Sequence, residues 1–152
     1  MADYFLDSSA LGKHYHLEVG TAEVERLLKE PGARHFISRL TLIEVQSVFA
    51  GKVRTNVIAQ ADFQLLRRRF LTDVARRQFH VGRMTSIHYH EAEQLIGKHA
   101  ISHRLRTLDA LQLSVALGLR NRAMLDHFVC ADKNLCTIAE LEGLSVINPE
   151  QP

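Results

Sequence analysis

Four acidic side chains are placed where they could carry chemistry in this chain. Asp7 directly follows the apolar run Tyr4-Phe5-Leu6, and Asp132 closely follows Phe128-Val129-Cys130. Glu44 and Asp109 lie in the first turns of two segments with helical apolar spacing. Brought to one place, such carboxylates repel one another and lose hydration, so they require protons or hard cations as compensation. Mg²⁺ takes oxygen ligands and keeps several waters, so a few carboxylates can hold a phosphate-bound ion without an all-protein cage. An ion there would acidify water, orient a phosphate and neutralise charge on its oxygens, and a second ion would stabilise the leaving oxygen. The implied reaction is phosphodiester hydrolysis. Ser8 and Ser9 add oxygen donors beside Asp7, and Gln112 lies three residues after Asp109 on a neighbouring helical face, suited to substrate positioning or to local packing.

Each acid also has an ordinary structural role. Glu44 can complete a capping box begun by Thr41, and Asp109 can stabilise the positive end of its helix. Asp132 can cap the helix that follows it, and Asp7 can arrange a strand-ending turn. Only their combination points to a reaction.

The elements that must position them alternate. Residues 4–6 read as a buried strand running into a loop, a helix starts near Thr21 and stops at Glu30-Pro31-Gly32, and a second strand occupies residues 35–38. A helix from Thr41 carries Leu42, Val45, Val48 and Phe49 on one stripe. The longest periodic stretch, about residues 56–77, carries Ile58, Ala61, Leu65, Leu66, Phe70 and Val74; it suits packing within the chain or contact with a second molecule. A short strand at 79–84 is interrupted by Gly82 and Arg83, and a helix follows near residues 88–99. Thr107 can cap a helix to about Leu119 with Leu108, Leu111, Val115 and Leu119 repeating. A strand at 128–130, a helix to about Leu141 and a last strand at 145–147 complete the chain. This alternation of two to five strands with helices predicts an α/β sandwich with a largely parallel sheet, whose binding crevice lies beyond the carboxyl ends of its strands.

The 152 residues, 46% hydrophobic and 24% charged, fit one compact domain over residues 1–150 and exclude a disordered, collagen-like or disulfide-dense chain. No apolar run is long enough to span a bilayer, and an acid stands where a secretory signal has its basic region, so a cytoplasmic protein without membrane contact is expected. The net charge of +2 is too small to identify a nucleic-acid protein. Arg67-Arg68-Arg69 and Arg76-Arg77 can meet phosphates or simply solvate an outward helix face. His99 and His103 have zinc-protease spacing, but Ala100 stands where the acid belongs. Cys130 and Cys136 read as core residues, and no phosphate-binding loop or dinucleotide fingerprint is present. An aspartyl phosphatase would also place an Asp after the first strand, but the second Asp of its pair is replaced here by Ser9.

The segments Tyr4-Phe5-Leu6-Asp7-Ser8-Ser9-Ala10-Leu11, Leu42-Ile43-Glu44-Val45, Thr107-Leu108-Asp109-Ala110-Leu111-Gln112-Leu113 and Phe128-Val129-Cys130-Ala131-Asp132-Lys133-Asn134-Leu135 occur in the order of four family motifs. Together they resemble the PIN-domain ribonucleases of the VapC toxin family, which implies an α/β/α sandwich with a largely parallel, five-stranded sheet. The resemblance implies an acidic centre of Asp7, Glu44, Asp109 and Asp132, with Asp7 and Asp109 as direct ligands of Mg²⁺ or Mn²⁺ and Ser8 and Ser9 in supporting positions. It further implies hydrolysis of an RNA substrate to 3′-hydroxyl and 5′-phosphate ends. The implied partners are a second copy in a homodimer and a cognate antitoxin that supplies most of the DNA contact. A catalytically silent PIN-like module that binds protein or RNA is the alternative.

Overall fold

A computed structural model describes all residues from Met1 to Pro152. In chain order the elements are β1 (Asp3–Leu6), α1 (Ser8–Tyr15), α2 (Thr21–Leu28), β2 (Arg34–Ser38), α3 (Thr41–Arg54), α4 (Gln60–Ala75), β3 (His80–Gly82), α5 (Ser86–His103), α6 (Thr107–Asn121), β4 (His127–Val129), α7 (Lys133–Leu141) and β5 (Val146–Ile147). The strands form one sheet in the order β3-β2-β1-β4-β5, and every pairing is parallel. A parallel sheet is covered on both faces, which is why β1 and β4 read as continuous apolar runs rather than alternating ones.

The alternation is hidden in which face each residue serves. Phe5 and Phe128 stack at 5.6 Å on one side, in a core shared with α5, α6 and α7. Tyr4, Leu6 and Val129 enter the opposite core with Leu11, Val24, Phe49 and Phe70 from α1 to α4. The result is an α/β/α sandwich. The chain adds strands outward from β1 to β3, then returns to place β4 on the other flank of β1. That reversal leaves a crevice beyond the carboxyl ends of β1 and β4, the switch point at which open α/β sheets bind ligands.

Several local expectations are corrected. The segment after Asp7 is not a loop but helix α1, whose Ala10, Leu11 and Tyr15 are buried and whose N-cap is Asp7 itself. The long stretch at 56–77 contributes a shorter helix, α4, because Asn56 adopts a left-handed conformation (φ 58°) after α3 ends. The longest helix is α5, with 18 residues against 16 in α4. Thr41 and Thr107 are the first helical residues and not caps; Leu40 and Arg106 occupy the cap positions with no side-chain capping bond. Val48, Leu65 and Leu108, placed by spacing on buried stripes, are 38%, 55% and 46% exposed.

Candidate functional site

The crevice is built first by register. Leu6 pairs with Val129 in the sheet, and the Asp7 amide donates to the Val129 carbonyl at 3.1 Å, so Asp7 and Cys130 leave the sheet abreast. The Asp7 carboxylate is buried, and three donors hold it. Oδ1 accepts from the Ser9 hydroxyl at 2.7 Å and from the Ala10 amide at 3.0 Å, and Oδ2 accepts from the Cys130 thiol at 3.3 Å. Ser9 also accepts from the Ala131 amide at 3.0 Å, which fastens the start of α1 to the loop after β4. Ser8 is buried in the first turn of α1, and its hydroxyl makes no side-chain hydrogen bond within the protein.

Asp109 lies in the first turn of α6, and Asp132 caps α7 through a 3.0 Å bond from the Leu135 amide. Their electrostatics link them to Asp7. Burial pushes the Asp7 carboxyl up to about 6 against the lowering effect of its hydrogen bonds, and the Asp109 charge raises it further. Burial likewise raises Asp109, with the Asp132 charge adding to the effect and Arg106 opposing it. Asp109 is thus coupled to both Asp7 and Asp132 at the mouth.

Glu44 enters through another route. Gln112, 1% exposed, donates from Nε2 to Glu44 Oε1 at 2.9 Å and to the Thr41 hydroxyl at 3.0 Å, while its Oε1 accepts from the Ser38 hydroxyl at 2.6 Å. The expected capping box at Thr41 is absent because Thr41 is the first helical residue and Leu40 holds the cap position; Thr41 and Glu44 accept from Gln112 instead. That residue ties the end of β2 and the start of α3 to the helix that carries Asp109.

Four neighbours of the acids carry no functional role in the sequence reading. Cys130 reads as a core residue, yet its thiol donates to Asp7; only strand register reveals this. Arg104 and Arg106, with Asn134, complete a cleft of about 410 Å³ around Asp109 and Asp132 that has no apolar side chain in its lining. Arg68, Arg69 and Arg76 line a different cleft with His14, Thr72, Asp73 and Gln78, which contains none of the four acids.

All four predicted acids offer oxygen donors of the kind hard cations take, and burial raises the carboxyls of Asp7 and Asp109. In this arrangement no three Asp, Glu, His or Cys side chains stand close enough to ligate one ion. The donor chemistry fits a divalent cation that keeps much of its water.

Fold and crevice define an α/β/α protein with carboxylates gathered at the switch point of a parallel sheet. The chain belongs to the PIN-domain family, which residues 4–141 match. Its fold is shared with a toxin-antitoxin complex from Klebsiella pneumoniae, at 17% identity over 98% of this chain and 99% of that chain, with a TM-score of 0.63. It is shared with Mycobacterium tuberculosis VapC20, a sarcin-ricin loop cleaving toxin, at 14% identity over 96% and 99% of the two chains and a TM-score of 0.68. FitAcB from Neisseria gonorrhoeae is similar at 14% identity over 96% and 97%, with a TM-score of 0.65. At these identities the likeness is one of fold. No curated protein matches the chain in sequence. No helix is long and apolar enough to cross a membrane.

Proposed function

We propose that this protein is a ribonuclease that hydrolyses RNA phosphodiester bonds with Mg²⁺ or Mn²⁺, acting over residues 1–150 as the toxin of a toxin–antitoxin pair. The observation that carries the reading is the buried Asp7 carboxylate, held on both oxygens at the sheet's switch point and raised to about 6 beside Asp109. Keeping an acid in so costly an environment is expected where its charge is put to use.

In this reading Asp7 and Asp109 would hold the cation, and Asp132 and Glu44 would orient water around it or secure a second ion. A divalent cation bound there would acidify water and offset charge on the phosphate oxygens. Ser9, the Ala10 amide and Cys130 fix the direction of Asp7, so the carboxylate need not reorganise when the cation arrives. Gln112 does the same for Glu44. Ser8, with a hydroxyl uncommitted within the protein, supports the phosphate or its water shell.

The toxin assignment and the antitoxin partner draw on a toxin-antitoxin complex and a toxin that share the fold, and the homodimer on the family resemblance alone. The DNA contact assigned to the antitoxin draws on a Rickettsia felis VapBC2 complex solved with a promoter DNA fragment. An aspartyl phosphatase is disfavoured because Ser9, at the position of its second acid, cannot serve as a general acid and is spent on Asp7 and Ala131.

Total RNA incubated with the protein tests the reading. Cleavage is expected with Mg²⁺ or Mn²⁺, with 5′-phosphate ends by mass, and is expected to stop with chelator and to fall at least about a hundredfold in Asp7→Asn and Asp109→Asn. Cleavage indifferent to both variants and to chelator would remove the mechanism. Antitoxin binding by a folded protein that cuts no RNA would support a silent interaction module instead.

A further inference from the structure

One wall of the acidic mouth is cationic, and two of its residues are poor local choices. Arg104 ends α5 in the left-handed region at φ 52°, which favours glycine or asparagine. Arg106 is the N-cap of α6, a position that favours Ser, Thr, Asp or Asn and whose partial positive charge repels a cation. The loop between them is nevertheless well anchored. Leu105 is buried in the core beside α5 and α6, and Asn134 Nδ2 donates to the Arg104 carbonyl at 3.4 Å. Residues that violate local preference in an otherwise consistent structure mark functional positions.

The Arg106 side chain, 74% exposed, spans two of the acids. Nε lies 3.4 Å from Asp109 Oδ2, and Nη2 lies 3.7 Å from Asp132 Oδ2. Both separations exceed those of strong charge-assisted hydrogen bonds, and the exposure leaves the pair weak and easily exchanged. Arg104 and Asn134 line the same cleft.

We infer that Arg106 is an exchangeable counter-ion of the mouth, bridging Asp109 and Asp132 at rest, yielding them to a divalent cation, and then taking a backbone phosphate of the RNA strand. The inference rests on the nuclease reading and adds to it a coupling between ion and substrate. RNA that draws Arg106 away frees the carboxylates for the cation, and by linkage the cation improves the hold on RNA by the same factor.

Two binding measurements on the full chain test it. In calorimetric titration with Mg²⁺ and no RNA, Arg106→Gln is expected to bind the ion about three- to fivefold more tightly than wild type, the size expected for loss of a weak competing pair. Arg26→Gln, a charge-matched control whose native side chain pairs with Glu23 on α2, is expected to match wild type. In chelator, single-stranded RNA is expected to bind Arg106→Gln more weakly, with the slope of log affinity against log salt shallower by about 0.7. Unchanged or weakened Mg²⁺ affinity in Arg106→Gln, an equal tightening in Arg26→Gln, or an unchanged salt slope overturns the exchange. A wild-type protein that binds no Mg²⁺ overturns the nuclease reading together with it. A wild type that binds Mg²⁺ and cleaves RNA, with Arg106→Gln indistinguishable in both titrations, overturns the exchange alone.

Discussion

At the scale of single residues, Asp7 concentrates the cost of the site. Its carboxyl is raised by burial from an ordinary 3.8 to about 6, so the folded protein holds that proton more tightly than the unfolded chain does. The sign follows from linkage. Stability from this group is full below about pH 4, declines as pH rises, and is lost once pH passes about 6. With chelator present, Asp7→Asn is therefore expected to gain stability over wild type as pH rises from about 5 to about 7.5, by on the order of 1 kcal/mol in urea unfolding. A constant or shrinking gap across that range would show that Asp7 is not held at this cost. Asn keeps an acceptor for the Ser9 and Ala10 donors, so the substitution tests charge with the local hydrogen bonding largely retained.

Elements decide where these residues point, and α4 shows how far spacing alone reaches. The stretch at 56–77 left open whether its apolar face packs inside the chain or against another molecule. Leu66 and Phe70 are buried in the chain's own core, with Phe70 set edge-on to Tyr15 at 5.4 Å, while Leu65 faces outward. Phe70→Ala is expected to cost about 3–5 kcal/mol in urea unfolding whatever the protein concentration. A loss that appears only at concentrations where copies associate would instead place this face at an interface. Strands β1 and β4 were legible because a sheet covered on both faces produces unbroken apolar runs. Helix α1 was not, since Ser8-Ser9 reads as a turn until Asp7 is seen to cap it. Asp132 proved to be a cap as its local setting suggested, and that role places it at the mouth as well. The Cys130–Asp7 contact depends on strand pairing, and the Arg106 bridge on the meeting of α6 with α7, so neither leaves a periodic trace in the sequence.

For the whole molecule, sheet order is what brings Asp7, Asp109 and Asp132 to one edge, while Glu44 is tied to that edge only through Gln112. Residues as far apart in sequence as 7 and 132 approach because β1 and β4 are neighbours and both helices that follow them start at the same edge. The central claim is that this edge holds a divalent cation between carboxylates. Crystals soaked in Mn²⁺ and measured for its anomalous scattering test it most directly. The expected map shows a peak among Asp7, Asp109 and Asp132, ligated directly or through water, that disappears in Asp7→Asn. A map with no peak there at millimolar Mn²⁺, or with the ion held only by histidines elsewhere on the surface, would contradict the claim.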